Sequence, residues 1–202
     1  PKASAASDVY KRQVLGRVRR RAAIDVSYVV DVGRGADMTA LCVRGADAKS
    51  PREAARELLS GARAIRRGHD PQFARATRVA ARVPDVLVRP GMAAAGFVTG
   101  GLGRPLRPLR LGAHPFGSAL VSSVGPWGLE RVLPPPAQFV RLGFVLVLGA
   151  PVWRPAVVED RVCPRRLAEV GMTIDHRLVD GAQVGAFTQV MRAALERPWE
   201  RW

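Results

Sequence analysis

The stretch VGMTIDHRLVDGAQVGAFTQVMRAALERP, residues 170–198, changes its hydrophobic period halfway and thereby decides the fold. Val170, Met172 and Ile174 alternate with small or polar residues, and this period of two predicts a strand with one apolar face. The second half carries apolar residues at helical spacing, namely Val184, Phe187, Val190, Met191, Ala194 and Leu195. This pattern predicts an amphipathic helix over 181–197 that packs on a sheet.

Upstream of this stretch, several short runs rich in β-branched and aromatic residues predict further strands. Residues 24–33 and 38–43 flank a glycine-containing turn, so they are expected to form a hairpin or meander. A turn is expected at 158–160. The other predicted strands are 118–125, 139–150 and 167–175.

One helix has a complete start and stop signature. Ser50 is a favourable N-cap, Pro51 suits the first helical position, and Glu53 completes a capping box. Apolar residues then recur at helical spacing until Gly68 supplies the stop. Strands mixed with helices predict an α/β fold, here an α+β two-layer sandwich, with a mixed β-sheet and helices packed on one face.

His176, one of only three histidines, stands four residues before Asp180, and Gly181 follows that aspartate at once. If the preceding strand continues to residue 176, its imidazole points to the apolar face of Ile174, where a neutral imidazole serves as a general base. Asp180 opens the final helix, where it would cap the helix, pair with an arginine or brace the histidine loop. Gly181 permits close backbone approach. On these residues alone, a catalytic base and a plain polar residue beside a helix cap are equally open.

Two serines upstream add a second candidate group. Ser122 and Ser123 end a predicted strand in LVSSVGPWG, and Ser122 lies 54 residues before His176. Alone, such serines are typical turn residues that stabilise the local backbone. Taken with the histidine segment, they place a hydroxyl and an imidazole at two strand ends.

Together these segments resemble the catalytic domain of the dihydrolipoyl acyltransferases of 2-oxoacid dehydrogenase complexes, relatives of chloramphenicol acetyltransferase. That family has a strand, then D-H-R-x-x-D-G-A, then a helix ending in L-x-x-P, and residues 174–198 follow it nearly position by position. Its F-T-I-S-S/N-L-G motif is similar to LVSSVG at 120–125. The resemblance covers roughly residues 24–68 and 117–199, and it implies a chloramphenicol acetyltransferase-like fold.

The resemblance implies an acyltransferase that moves an acyl group between a thioester, of coenzyme A or lipoamide, and an acceptor. It implies that His176 is the general base and that Asp180, within the H-x-x-x-D-G motif, is the structural acid of its loop. It further implies that Ser122 donates a hydrogen bond to the tetrahedral oxyanion, with Ser123 the less favoured neighbour.

The same resemblance implies an assembly and a set of partners. Family members build the site between adjacent chains of a trimer, so a homotrimer-based oligomer is expected, with other 2-oxoacid dehydrogenase components as further candidates. Coenzyme A is expected as a substrate, lipoamide on a partner is a second candidate, and no metal is expected. Gly181 and Trp127 are expected beside the substrate, whereas Trp153 is expected to serve in packing.

The domain organisation is expected to be simple. Residues 1–13 lack an apolar period and are expected to be a non-native or disordered leader before an acyltransferase-like catalytic domain at 14–202. An arginine-, proline- and glycine-rich insertion at about 70–116 would cover a channel, contact a partner or form a solvated connection, which is the favoured interpretation. A short helix is expected within it at 73–83. The family's lipoyl domain and first helix–strand–helix elements are not seen before residue 24, which favours a stand-alone, divergent enzyme.

Composition limits the partners less sharply. The net charge is +15, and 29 of the 32 basic residues are arginine, which indicates either a polyanionic partner or a compositional bias. Cys42 and Cys163 match no metal or redox spacing, so a reduced, cytoplasmic protein is expected. No apolar run reaches the length of a membrane span, so no membrane partner is expected.

Three alternatives to an active acyltransferase remain open. The first is a catalytically inactive structural relative of an acyltransferase complex subunit. The second, less favoured, is a basic nucleic-acid-binding protein. A condensation-type domain of peptide synthesis also uses an H-x-x-x-D-G motif, but there the motif lies far from the domain's end. Only 21 residues follow Gly181 here, which disfavours that class.

Overall fold

The computed structural model of the chain describes residues 11–14, 17–33, 35, 37–70, 73–135 and 142–200, and a mixed β-sheet forms its centre. The strands are β1 Lys11–Val14, β2 Arg17–Arg20, β3 Val26–Asp31, β4 Met38–Val43, β5 Ala119–Ser123, β6 Phe144–Leu148, β7 Val152–Val158, β8 Arg161–Leu167 and β9 Val170–Ile174. The helices are α1 Pro51–Arg66, α2 Ala74–Ala80, α3 Asp85–Gly96 and α4 Gly181–Glu196.

The central sheet has five strands in the order β4-β3-β5-β6-β9. β3 and β4 form the predicted antiparallel hairpin, β5 runs parallel to both β3 and β6, and β9 closes the edge antiparallel to β6. Because β3 lies between β4 and β5 in the sheet, the chain from β4 to β5 must pass over β3, and α1 and residues 73–116 belong to that connection. The predicted mixed sheet is confirmed.

The helix α1 forms as its start signature predicts. The hydroxyl oxygen of Ser50 accepts a hydrogen bond from the Glu53 amide at 3.3 Å, and the Glu53 carboxylate accepts one from the Ser50 amide at 2.8 Å. Ile65, 3% exposed, then packs beside Val30 of β3, and Leu41 of β4 joins the same cluster. Burial of this face, rather than helix propensity alone, holds α1 on the sheet.

The helix α4 packs on the same face of the sheet. Its Phe187 ring lies 5.2 Å, centroid to centroid, from the ring of Phe144, which is 2% exposed and belongs to β6. The register aligns Val26, Ala119 and Phe144 across three strands, so their side chains share the face that also carries Val30. The predicted layer of helices on one face is therefore confirmed.

A segment without regular structure, residues 129–135, crosses the opposite face at the β6–β9 end. A side chain on Gly171 of β9 would overlap the carbonyl of Val132, so only glycine permits this close approach. The hydroxyl of Thr173 donates a hydrogen bond to the carbonyl of Pro134 at 2.5 Å. These contacts fix the segment next to the strand that leads to His176.

A hairpin of β7 and β8 lies beside the sheet, and only its turn was predicted. Glu159 and Asp160 form that turn with positive φ angles of 50° and 59°. The expectation that Trp153 serves in packing is wrong within this chain, because Trp153 is 69% exposed. Val157 and Val162, directly paired, are 70% and 74% exposed, so the hairpin presents apolar side chains to its surroundings.

Residues 73–116 differ from the solvated connection favoured on sequence. The predicted short helix is present as α2, but α3 was not predicted, because Pro90 and Gly91 stand in its interior and break the usual helical pattern. The proline costs one backbone hydrogen bond without ending the helix. Further along, the segment contains a short 3₁₀ turn, Arg107–Leu109.

The first residues of the chain are described only in part. The leader predicted at 1–13 lies mostly outside the described residues, but Lys11–Val14 forms β1, which pairs antiparallel with β2. No helix within the described ranges combines the length and apolarity that crossing a membrane requires.

Candidate functional site

His176 lies in a turn, not at the end of the strand. β9 ends at Ile174, and the amide of Leu178 donates to the carbonyl of Asp175 at 2.9 Å, which closes a turn around the histidine. The expectation that the imidazole shares the apolar face of β9 is therefore wrong, because the strand stops two residues early. The His176 residue is exposed, which leaves its imidazole accessible to a substrate or another chain.

The two residues that flank His176 hold this turn. The Asp175 carboxylate accepts hydrogen bonds from Nε of Arg177 at 2.8 Å, from Nη2 at 2.8 Å and from the Arg177 amide at 3.1 Å. Hydrogen bonding by the Arg177 side chain lowers the pKa of Asp175, although partial burial acts in the opposite direction. Sequence reasoning missed this pair, although the alternation of acid, histidine and arginine is its signal.

The core anchors the other end of the histidine turn. Leu178 and Val179, 7% and 3% exposed, belong to the cluster that Ala119 and Phe144 also form. The turn therefore projects His176 outward from a fixed base. An accessible side chain on an anchored turn is the arrangement that positioned catalytic groups use.

Asp180 acts as a helix cap, which is one of the three roles its position allowed. Its carboxylate accepts from the Gln183 amide at 2.9 Å, and the Gln183 side chain accepts from the Asp180 amide at 3.0 Å. This capping box starts α4 at Gly181, where an added Cβ would meet open space. Asp180 thus fixes the point at which the histidine turn becomes a helix.

The serines lie on β5, as predicted, at the end of the strand. Ser122 is aligned with Val147 of β6, half-buried on the face opposite the helices, whereas Ser123 is exposed. Trp127 follows in the turn Gly125–Trp127 and is 43% exposed. Trp127 is therefore accessible beside the serine strand.

The sheet does not bring Ser122 and His176 together within one chain. Ser122 is level with Val147 of β6 and Gly171 of β9, whereas His176 follows the end of β9 at Ile174. Strand rise and strand spacing place the Cα atoms of Ser122 and Ile174 roughly 14 Å apart. A hydroxyl and an imidazole that act on one substrate atom must approach it within hydrogen-bond distance. One copy of this chain therefore holds two separate halves of the predicted site.

Metal-ligating side chains are scattered over the part of the chain that the structure describes. Within those ranges, no group of three or more histidine, cysteine, aspartate or glutamate residues lies close enough to hold a metal ion. Cys42 and Cys163 are free thiols, and burial raises the pKa of Cys42. An accessible imidazole such as that of His176 is chemically suited to proton transfer.

Comparison with a protein-family model matches the part of the chain that carries these residues. Residues 118–201 match the model described as 2-oxoacid dehydrogenases acyltransferase (catalytic domain). The range contains Ser122, His176 and Asp180 together with the strands and the helix that position them.

Curated relatives match over short stretches. The dihydrolipoyllysine-residue acetyltransferase component of the pyruvate dehydrogenase complex from Zymomonas mobilis is 28% identical over 86 residues, 41% of this chain and 18% of that protein. The lipoamide acyltransferase component of the branched-chain alpha-keto acid dehydrogenase complex from Pseudomonas aeruginosa is 40% identical over 47 residues, 23% of this chain and 11% of that protein. The matches thus span less than a fifth of either relative's length.

Solved structures share the fold over almost the whole chain. A probable dihydrolipoamide acetyltransferase from Listeria monocytogenes superposes with a TM-score of 0.65 at 20% identity, covering 97% of this chain and 68% of that one. Dihydrolipoamide acetyltransferase from Azotobacter vinelandii superposes with a TM-score of 0.62 at 17% identity, covering 96% and 63%. The resemblance predicted from the sequence is confirmed: the chain has the fold of these acyltransferase cores, and its residues 118–201 match the catalytic-domain family of the 2-oxoacid dehydrogenase acyltransferases.

Proposed function

We propose that the chain is an acyltransferase that moves an acyl group between a thioester, of coenzyme A or lipoamide, and an acceptor thiol. The observation that carries this proposal is the accessible His176 on an anchored turn, inside the range that matches the catalytic-domain family. The sequence predicted the residue, and the turn geometry supports its use as a base.

The proposed reaction transfers one proton and one acyl group. His176 takes the proton from the acceptor S–H, and the thiolate attacks the thioester carbonyl to form a new C–S bond. The carbonyl becomes an oxyanion, which the Ser122 hydroxyl stabilises by donating a hydrogen bond, worth about 3 kcal/mol for comparable donors. Collapse breaks the old C–S bond, and the departing thiolate takes the proton back from the imidazolium.

A neighbouring structure supports the choice of residues. The Azotobacter vinelandii dihydrolipoamide acetyltransferase has been studied for the roles of a serine, a histidine and an asparagine in its catalytic mechanism, the last two lying four residues apart. His176 and Asp180 have the same spacing here, with an aspartate in place of the asparagine. Asp180 is accordingly proposed as a positioning residue, which acts through the helix cap on the histidine turn.

The distance between the two halves of the site supports an oligomer. Because the sheet register separates Ser122 from the histidine turn, each of the two residues is proposed to act with the other residue of an adjacent copy, in a trimer-based assembly. Ser123, Gly181 and Trp127 are then proposed to border the substrate. Components of a 2-oxoacid dehydrogenase complex are proposed as partners, since the curated relatives are named as components of such complexes.

The proposal is tested by comparing His176→Ala with His69→Ala, which removes another exposed histidine outside the matched range. Acyl transfer from acetyl-coenzyme A to dihydrolipoamide is measured for both variants and the unaltered chain. We expect His176→Ala to lower kcat at least 100-fold and His69→Ala to leave it unchanged. Equal rates for His176→Ala and the unaltered chain would remove this residue from the mechanism.

The same measurement separates the alternative of an inactive structural relative. A chain that assembles at the mass of an oligomer but transfers no acyl group above the buffer rate would favour that alternative. Transfer that depends on His176 would exclude it.

A further inference from the structure

Residues 73–116 enclose an apolar cavity that the proposed acyl transfer does not use. Its volume is about 390 Å³, within the range of about 300–1,000 Å³ typical of small-molecule sites. The walls come from α2, from α3 and from residues 109–116, and no charged side chain is among the lining residues. The larger apolar groups of the wall are Phe73, Val83, Val88, Met92, Leu111 and Phe116.

The cavity has a fixed wall and an open side. The rings of Phe73 and Phe116 stack at 5.0 Å between centroids, which fastens the start of α2 to the loop before β5. On the α3 side, Leu87 and Met92 line the cavity and are nevertheless 55% and 43% exposed. An apolar ligand can therefore enter from solvent without opening the main core.

The wall of the cavity contains few polar side chains, and one of them already makes a hydrogen bond within the protein. Thr99, 2% exposed, donates its hydroxyl to the carbonyl of Ala95 at 2.7 Å. Apart from the hydroxyls of Thr77 and Thr99, the lining side chains are hydrocarbon or thioether, or are glycine. Such a wall binds an aliphatic chain and disfavours a polar or charged group.

The charged residues around this apolar cavity are almost all positive. Seven arginines and a single acid, Asp85, lie between residues 73 and 116, and all seven arginines are exposed. Ion pairs to a carboxylate are not found for any of the seven among the residues that the structure describes. Five of them are next in sequence to a lining residue, namely Arg75, Arg78, Arg82, Arg89 and Arg110.

We propose that this cavity binds the aliphatic chain of an anionic amphiphile, with the anionic head held by the surrounding arginines. Burial of the chain supplies affinity, and the arginines select a carboxylate or phosphate head over a neutral one. The site does not involve His176 or Ser122. The aliphatic chain of the ligand can come from either of two sources, a fatty carboxylate free in solution or a lipid of an anionic bilayer.

Gly91 provides a variant that fills the cavity without straining the fold. It lies in α3, lines the cavity, and an added Cβ would meet no atom within 4 Å. Gly91→Phe therefore places a ring in the space of the ligand. Gly185→Phe is the matched control, because Gly185 lies in α4 and its added Cβ also meets open space.

Binding is measured by titration calorimetry with decanoate and, for the neutral chain, decanol. We expect saturable binding of one decanoate per chain, at least tenfold weaker binding to Gly91→Phe, and unchanged binding to Gly185→Phe. The double variant Arg75→Gln/Arg89→Gln is expected to weaken decanoate binding about threefold or more and to leave decanol binding unchanged. Thermal melting checks that each variant is folded.

Sedimentation of the protein with vesicles that contain phosphatidylglycerol distinguishes the two sources of the aliphatic chain. Cosedimentation that Gly91→Phe abolishes assigns the site to bilayer lipid, whereas decanoate binding without cosedimentation assigns it to a free amphiphile. Absence of both kinds of binding would overturn the proposal. Equal binding by Gly91→Phe and the unaltered chain would also overturn it, whatever the result at His176.

Discussion

At the scale of single residues, the turn around His176 depends on the pair that flanks it. Asp175 and Arg177 join through three hydrogen bonds while His176 between them projects outward. An imidazole gains catalytic value when its position is fixed before the substrate arrives. The pair therefore has two measurable consequences, one for stability and one for rate.

We expect Asp175→Asn to lose stability only where the native carboxylate is charged. Arg177 lowers the pKa of Asp175 in the folded chain, so the pair stabilises the fold above the usual carboxyl pKa of 3.8, and this contribution is lost as the pH falls through the lower folded pKa. The variant should lose at most about 1 kcal/mol at pH 7, because the arginine is solvent-screened. Urea unfolding at pH 7, 5 and 3 measures it, with Glu196→Gln as an exposed-pair control. A difference that grows toward pH 3 contradicts the assignment.

Two glycines offer opposite responses to the same small change. Gly171→Ala forces a methyl group into the carbonyl of Val132 and should destabilise the chain by about 1–3 kcal/mol. Gly91→Ala meets open space in α3 and should stabilise it by about 0.4–1 kcal/mol, because it reduces the freedom of the unfolded chain. Urea unfolding of both variants provides the comparison. Similar unfolding free energies would show that residues 129–135 do not lie against β9.

At the scale of elements, two capping boxes separate stability from function. Ser50→Ala and Asp180→Ala each remove one cap and should each cost about 1 kcal/mol. Only Asp180 also fixes the end of the histidine turn, so Asp180→Ala should lower kcat at least tenfold more than Ser50→Ala. Steady-state acyl transfer and thermal melting measure the two effects. Equal losses of activity would reduce Asp180 to an ordinary cap.

The elements also show how far the sequence could lead. Helix α1, the hairpin of β3 and β4 and the cap at Asp180 follow from local signals, namely capping residues, glycine turns and hydrophobic period. Helix α3 could not be predicted, because Pro90 and Gly91 oppose its formation. Its apolar side chains line the cavity that α2 also lines, which the local pattern does not reveal. β9 ends at Ile174 and a turn follows, which the apolar period of two does not indicate.

The strands of the β7–β8 hairpin could not be predicted for a different reason. Alternate residues of β7 are half-buried, but Trp153 and Val157 stand at the exposed positions, so apolar side chains do not mark the inward face. The distance between Ser122 and His176 also could not be predicted from the sequence, because strand order in a sheet is set by tertiary pairing and not by spacing along the chain.

At the scale of the whole molecule, the exposed apolar hairpin is expected to contact another copy. Trp153, Val157 and Val162 are each at least 69% exposed, and exposed apolar clusters mark association surfaces. Val157→Ser/Val162→Ser should shift the chain from an oligomer toward a monomer and lower acyl transfer in parallel. Light scattering and rate measurements over a range of protein concentrations check this. A double variant that keeps both mass and rate would exclude the hairpin from the interface.

The shared site predicts complementation between two inactive variants, and this measurement tests the central claim most directly. Ser122→Ala and His176→Ala are unfolded together at equal amounts, refolded so that mixed oligomers form, and assayed for acyl transfer. In a ring where each site takes its histidine from one copy and its serine from the next, about one site in four keeps both residues. We expect the mixture to recover about a quarter of the unaltered rate. A mixture no more active than the mean of the two separate variants would contradict a site shared between copies.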